Sequence, residues 1–207
     1  MRSRVSHIPF MVVLSSPSGA GKTSIIREVI RRDRGIVYSV SATTRPPRPE
    51  ERNHRDYHFV SLSEFASLRR RGELLEWARV YGFWYGTPKA QLSAAFERGQ
   101  DVIADLDVKG ARTVKRLLPA AVTVFVTAPN GQELRRRLVA RGTDDPEVLR
   151  RRIDESRHEL AQAKRFDYLV VNGSLAEAVK DVMAIVRAER LRSWRHGAGH
   201  DRKEVHG

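Results

Sequence analysis

The segment that most constrains this chain lies between its first apolar run and its first helical pattern. Phe10–Leu14 is rich in β-branched residues, which predicts a buried strand of a parallel sheet, and Thr23–Arg32 has helical spacing. The connecting residues are Ser16, Pro17, Ser18, Gly19, Ala20, Gly21, Lys22 and Thr23. They follow the P-loop pattern G-x-x-x-x-G-K-[ST], with Ser16 in the place of the first glycine. This placement between a strand and a helix predicts a binding site for a nucleoside triphosphate.

Each residue type in this segment suits a phosphate. The glycines let backbone N–H groups turn inwards around the anion, and the start of the helix also favours negative charge. Lys22 can contact the β and γ phosphates, and the Thr23 hydroxyl can ligate Mg²⁺. A P-loop also needs an acidic residue at the end of a neighbouring strand to hold the metal or its waters. Asp105, which closes the apolar run Val102–Ala104, is our candidate.

Strand and helix patterns alternate along most of the chain, which predicts an α/β fold built on a P-loop NTPase-type parallel sheet flanked by helices. We assign residues 8–40 and 99–192 to this core, with a short helical lid at about 137–152. Residues 41–98 form a small mixed α/β insertion, which opens with an arginine- and proline-rich loop at 41–56. We expect the basic tail 193–207 to be disordered.

Composition narrows the classes of function. The net charge is +13, and most of the 38 basic residues are arginine, which favours phosphate-bearing partners. There is no cysteine, so disulfides, thiol nucleophiles and cysteine zinc sites are excluded. No apolar run is long enough to cross a bilayer, and the N-terminus lacks the pattern of a signal peptide. We therefore expect a cytoplasmic protein without a membrane partner.

A second set of motifs follows the P-loop in the chain. It comprises Ser41-Ala-Thr-Thr-Arg45-Pro-Pro-Arg48, Asp56-Tyr57, Glu76-Trp-Ala, Tyr85-Gly-Thr87, Asp105-Leu-Asp107 and Arg137-Leu-Val-Ala-Arg141-Gly142. In order and spacing these motifs closely resemble guanylate kinase, over roughly residues 10–192. The resemblance implies that ATP phosphorylates GMP, and also dGMP, with Mg²⁺ as the required metal. It also implies that residues 41–98 are the GMP-binding subdomain.

The resemblance assigns roles to single residues. The residues implied to bind GMP are Ser41, Arg45, Arg48, Tyr57, Glu76, Tyr85, Thr87 and Asp107. Arg137 and Asn172 join the P-loop in binding ATP, and Arg141 and Arg152 are the lid arginines. The implied catalytic cations are therefore Lys22, Arg45, Arg141 and Arg152.

The chemistry of guanine supports the assignment of its pocket. Guanine presents donors at N1 and N2, which require an acidic acceptor such as Glu76, and an acceptor at O6, which Thr87 can serve. Adenine has no N2 amine and would leave a buried Glu76 unpaired. Two arginines three residues apart, with two tyrosines, can hold a monophosphate.

Four positions depart from the pattern of the family: Ser16, and Glu50, Phe83 and Lys109 in place of Gly, Asn and Gln.

Three other functions fit parts of the sequence. A ribose-bisphosphate kinase would share the P-loop but would not need the guanine-reading set around Glu76. A non-catalytic guanylate-kinase-like binding module would lack the P-loop lysine, which this chain keeps. A nucleic-acid-binding protein would fit the net charge of +13, but the chain has no recognition helix or base-stacking motif, so no specific nucleic-acid partner is expected.

Overall fold

The computed structural model describes residues 7–80, 82–140, 156 and 158–196. Five strands form one fully parallel sheet in the order β2-β7-β1-β8-β9. With strands numbered along the chain, these are β1 (Met11–Ser15), β2 (Ile36–Tyr38), β7 (Asp101–Asp105), β8 (Val122–Thr127) and β9 (Tyr168–Val171). The predicted parallel sheet is confirmed, and β1 lies at its centre.

Helices cover both faces of this sheet. Alternate residues of β1 point to opposite faces, so each face contributes to its own apolar cluster. Val12 and Leu14 join the apolar cluster that contains α1 (Lys22–Arg32), α5 (Gly131–Ala140) and α6 (Leu175–Arg190). Met11 and Val13 join the cluster on the other face, which contains α3 (Lys89–Glu97) and α4 (Val108–Leu117). The P-loop is the connection from β1 to α1, so the central strand of the sheet positions it.

A smaller, mixed sheet follows the core's second strand, with the order β4-β3-β6-β5. Its strands are β3 (Ala42–Thr43), β4 (His58–Phe59), β5 (Leu74–Val80) and β6 (Phe83–Pro88). The helix α2 (Leu62–Arg70) covers it with Phe65, which packs with Ala42 and Leu74. A capping box of Ser61 and Glu64 begins this helix. β3 lies in the segment that we expected to be a loop, since two residues give no periodic signal.

Two of the expected boundaries differ from the packing. We placed residues up to 98 in the insertion, but Leu92 and Ala95 of α3 pack in the core cluster against β1 and β7. The core therefore resumes at Lys89, because the buried face of α3 lies on the parallel sheet.

The start of the tail is also ordered, contrary to the expectation of disorder from residue 193. Ser193–His196 form a 3-10 helix, and Arg195 is only 1% exposed. Its guanidinium lies between the rings of Phe10 and Trp194, at 4.0 and 4.1 Å from their centroids. Residues 197–207 lie outside the described residues, as do residues 141–152 of the expected lid.

None of the helices in the described part of the chain is long and apolar enough to span a membrane.

Candidate functional site

The P-loop turns through two glycines whose backbone favours residues without a Cβ atom. Gly19 and Gly21 have φ angles of 87° and 89°, in the left-handed region. Gly21 directly precedes α1, so the first N–H groups of the helix are free to face a phosphate. A Cβ atom on Gly21 would collide with the side-chain amide of Asn172. The loop is therefore shaped both by its own sequence and by a residue far along the chain.

Asn172 holds the P-loop from the end of β9. Its Nδ2 donates to the Ala20 carbonyl at 2.7 Å, and the side chain is almost fully buried. Arg137 of α5 donates to the Asn172 carbonyl at 3.0 Å and to Glu133 at 2.7 Å. Both residues assigned to ATP thus lie beside the P-loop, and in this structure they contact the protein backbone.

Lys22 and Asp105 meet at the carboxyl edge of the parallel sheet. β1 and β7 are neighbours, with Leu14 opposite Asp105, so the P-loop and the Asp105 side chain emerge together. The Lys22 Nζ lies 2.5 Å from Asp105 Oδ1 and donates to the Leu106 carbonyl at 3.2 Å. Thr23 follows on the exposed first turn of α1. Carboxylate and hydroxyl oxygens are ligands that suit Mg²⁺, so the donor set at this edge fits that ion.

Glu76 lies in a buried polar pocket between β5 and α4. It is 4% exposed, and its Oε1 accepts a 2.7 Å hydrogen bond from the Thr87 hydroxyl. Burial raises the pKa of Glu76 to about 7, and the charge of Asp107 adds to this. A Cβ atom on Gly110 would lie 3.0 Å from Glu76 Oε2, so a larger residue there would crowd the carboxylate. The pocket offers a carboxylate and a hydroxyl side by side.

Asp107 borders the same pocket and also begins α4. Its Oδ1 accepts a 2.7 Å hydrogen bond from the Gly110 N–H as the helix N-cap. Ser41 is 4% exposed and directly precedes β3, whose Ala42 pairs with Gly86, next to Thr87. The structure therefore brings the expected base-binding residues to one region.

Arg45 lies among aromatic residues at the edge of the small sheet. Its Nε donates to the Tyr85 hydroxyl at 3.2 Å, and its guanidinium carbon lies 5.4 Å from the centroid of the Tyr57 ring. Those two tyrosine rings contact each other edge to face, with centroids 5.9 Å apart. The Arg48 side chain is exposed on the same loop. The structure therefore brings Arg45, Tyr57 and Tyr85 together.

Sequence reasoning missed two residues of this region. Tyr38 ends β2; burial raises its pKa above the usual range, and the charges of Asp105 and Tyr57 act in the same direction. Glu51 accepts two hydrogen bonds from Arg45. The position of Tyr38 at a strand end was a usable signal, since its neighbour β7 ends in Asp105. Nothing in an arginine-rich loop distinguishes Glu51 from a solvated charge.

The departures from the family pattern lie at the surface, apart from the partly buried Ser16. Glu50, Phe83 and Lys109 are exposed. Glu50 does not have a positive φ, so the backbone there does not require glycine; the non-glycine residue with positive φ in the described chain is His54, at 63°.

The comparisons with known proteins agree with this geometry. A sequence model of the guanylate kinase family matches residues 9–189. A guanylate kinase of Dechloromonas aromatica is 43% identical over 181 residues, which cover 87% of this chain and 90% of that protein. One from Thermus thermophilus is 46% identical over 187 residues, covering 90% of this chain and 84% of that protein. The crystal structure of guanylate kinase from Anaplasma phagocytophilum superposes with a TM-score of 0.78 at 30% identity, covering 93% and 92%. Together, the P-loop core, the buried acid–hydroxyl pocket and these matches show that the chain belongs to the guanylate kinase family.

Proposed function

We propose that this chain transfers the γ-phosphate of ATP to GMP, giving ADP and GDP, with the site described above as its catalytic centre. The observation that carries the proposal is the buried carboxylate of Glu76 beside the Thr87 hydroxyl, close to a P-loop that keeps its lysine. A base that presents two hydrogen-bond donors and one hydrogen-bond acceptor on one edge suits this carboxylate and hydroxyl. Guanine has that edge. Family membership supports the same reaction.

On the ATP side, the P-loop residues Ser16 to Thr23 surround the phosphates, and Lys22 offsets the charge on the β and γ groups. Lys22 must exchange part of its contact with Asp105 for the nucleotide, since both compete for one ammonium group. Arg137 and Asn172 form the wall beside the P-loop. Thr23 and Asp105 would hold Mg²⁺, directly or through water; when bound, this ion offsets charge on the transferring phosphate.

On the GMP side, Glu76 accepts from N1 and N2 of the base. The Thr87 hydroxyl has a single proton, so it exchanges its hydrogen bond to Glu76 for one to O6 when the base is bound. Ser41 and Asp107 complete the base pocket, while Arg45, Arg48, Tyr57 and Tyr85 bind the phosphate. These contacts address the base and the phosphate and not the sugar. We therefore include dGMP as a second acceptor.

The reaction needs no covalent intermediate. A phosphate oxygen of GMP attacks the γ-phosphorus in line, and Lys22 and Arg45 hold the two phosphates together. By the resemblance, Arg141 and Arg152 add positive charge at the transferring group; both lie outside the described residues. Excluding water from the closed site would suppress hydrolysis of ATP. We place this reaction in the cytoplasm, where ATP and GMP are available.

The test is a coupled assay of ADP release with ATP, Mg²⁺ and either GMP or AMP. We expect turnover with GMP and little with AMP, because AMP leaves Glu76 unpaired at a cost of about 1–3 kcal/mol or more. Glu76→Ala should abolish most GMP turnover. Glu73→Ala is the matched control, because Glu73 lies nearby but is exposed and paired with Arg71.

The outcomes separate the parts of the proposal. Undiminished turnover in Glu76→Ala would keep the enzyme class and contradict the account of guanine selection. Absence of GMP turnover in the wild type would overturn the proposed function.

A further inference from the structure

The carboxylate of Glu51 lies directly against the arginine assigned to the phosphate of GMP. Arg45 Nη2 donates to both Glu51 oxygens, at 2.7 and 2.9 Å. Both side chains are largely shielded, with exposed fractions of 13% for Arg45 and 16% for Glu51. The attraction between these two charges is screened less than in an exposed pair, while their burial costs both groups solvation. An acid at the centre of an anion-binding loop therefore needs a functional explanation.

The backbone of its own loop fixes the position of Glu51. The Glu51 N–H donates to the Arg48 carbonyl at 3.0 Å, and the Arg48 N–H donates to Glu51 Oε2 at 2.8 Å. These bonds close a tight turn over residues 48–51. The neighbouring arginines and the Arg48 N–H lower the pKa of Glu51, so it stays ionised at neutral pH. The carboxylate thus joins the guanidinium of one phosphate arginine to the backbone of the other.

Arg45 is held from two further sides. Its Nε donates to the Tyr85 hydroxyl, and its Nη1 donates to the Pro46 carbonyl at 2.8 Å. The guanidinium therefore has a defined orientation before any substrate arrives. Glu51 accepts the hydrogen bonds of Nη2, so its removal would leave that side of the guanidinium without these contacts and free to turn towards solvent.

The loop holds two further acids besides Glu51: Glu50 is exposed, whereas Asp56 makes contacts of the same kind elsewhere in the loop. Asp56 accepts from the Arg52 N–H at 2.9 Å and from Arg55 Nε at 2.8 Å, and it pairs with Arg27 of α1. Glu51 and Asp56 thus each organise their own part of the loop, and of these two acids Glu51 is the one that contacts a residue of the phosphate site.

We propose that Glu51 is a positioning residue that fixes Arg45 against Tyr57 and Tyr85 for the phosphate of the acceptor nucleotide. This inference rests on the proposed function, since it takes GMP as the acceptor. Glu51 lowers the net positive charge of the loop, but it preorganises the guanidinium that binds the phosphate, and the second effect dominates. The alternative is a counter-ion that the phosphate must displace, and this alternative predicts the opposite change in affinity.

The experiment measures kcat and KM for GMP and ATP in the wild type, Glu51→Gln and the control Glu73→Gln. We expect KM for GMP to rise about tenfold in Glu51→Gln, as for loss of one charge-assisted contact. KM for ATP, and every parameter of Glu73→Gln, should stay within about twofold. A fall in KM for GMP, or no change, would overturn the proposal.

Two further readouts separate positioning from general damage to the fold. In calorimetric titrations, Glu51→Gln should weaken binding of GMP but not of guanosine, which lacks the phosphate. On the background of Arg45→Ala, adding Glu51→Gln should cause no further loss of GMP affinity, because Glu51 acts through Arg45. Equal weakening of guanosine, or additive losses, would contradict positioning. Failure of the wild type to phosphorylate GMP would instead refute the proposed function, whereas binding of GMP and guanosine still tests the role of Glu51.

Discussion

The Thr87 hydroxyl donates a 2.7 Å hydrogen bond to the Glu76 carboxylate in a pocket where neither residue is more than 4% exposed. A buried carboxylate with so few partners is unfavourable when ionised, which is why its pKa is raised to about 7. In the proposed function, guanine supplies the missing donors at N1 and N2. The pocket is therefore better satisfied with its ligand than without it, and this difference has consequences that depend on pH.

We predict that GMP binds more tightly as pH rises towards 7. Binding requires the ionised form of Glu76, so below about pH 7 each unit of pH should change KM for GMP by up to tenfold. The phosphate of GMP titrates near pH 6 as well. Glu76→Gln keeps that second titration and loses the first. A KM profile that is the same in both proteins would contradict the raised pKa.

The free energy of unfolding without ligand should change in the opposite direction. Between pH 4.5 and about 7 the folded protein holds a proton on Glu76 that the unfolded chain has released. Stability from this group is complete below pH 4.5 and falls as pH rises, by up to about 3 kcal/mol. Urea unfolding of the wild type and Glu76→Gln from about pH 5 to 8 measures this. The difference in unfolding free energy, variant minus wild type, should increase with pH.

Much of this site was accessible from the sequence because it lies at ends of apolar strands. The P-loop and Asp105 follow β1 and β7, and in a parallel sheet those ends share one edge. The order of the small sheet was not accessible, since β3 has two residues and pairs with β4 and β6, which are distant in sequence. Such pairings depend on packing across the subdomain and leave no periodic pattern.

The dependence on tertiary packing also explains why the end of the insertion and the start of the tail differ from the expected boundaries. α3 has apolar residues that suit either layer, and only the tertiary structure shows Leu92 and Ala95 on the core sheet. In the sequence, Arg195 is not distinguished from the other basic residues of the tail. In the structure, two aromatic rings cover its guanidinium. Burial of this arginine by stacking depends on Phe10, which lies near the other end of the sequence, so no local pattern indicates it.

Asp105 and Asp107, which are separated by one residue, should affect different ligands, Mg²⁺ and GMP. Asp105 contacts Lys22, so Asp105→Asn should raise the Mg²⁺ concentration for half-maximal activity about tenfold or more and leave KM for GMP nearly unchanged. Asp107 borders Glu76, so Asp107→Asn should raise KM for GMP and leave the Mg²⁺ requirement unchanged. Titrations of Mg²⁺ at fixed ATP and of GMP at saturating Mg²⁺ distinguish them. The same change in both variants would argue against this division. Removal of Mg²⁺ by chelation should stop turnover in the wild type.

Gly21 should tolerate alanine much less than Gly99 does. Both have positive φ, at 89° and 68°, but a Cβ atom on Gly21 meets Asn172, whereas nothing lies within 4 Å of one on Gly99. Gly99→Ala should cost about 1 kcal/mol of stability and leave turnover unchanged. Gly21→Ala should lose stability beyond that and raise KM for ATP, because the loop must shift. Thermal unfolding and ATP kinetics of the two variants measure the difference; equal losses would contradict the role of the Asn172 contact.

The backbone at His54 predicts the sign of a stability difference between two variants. Its φ of 63° lies in the left-handed region, although it carries a side chain. His54→Gly and His54→Ala remove the same 2.8 Å contact between His54 Nδ1 and His58 Nδ1, but only alanine keeps the backbone strain. The glycine variant should therefore be more stable than the alanine variant by about 1 kcal/mol in urea unfolding.

The control for His54 is the same pair of substitutions at His58, which lies in the strand β4. There glycine should be the less stable variant, by about 0.5–1 kcal/mol, since an extended backbone favours alanine. Reversal of the sign between two histidines four residues apart would show that the left-handed backbone, and not the loss of an imidazole, determines the effect. The same order of stability at both positions would mean that the turn at His54 relaxes to an ordinary φ once the ring is removed.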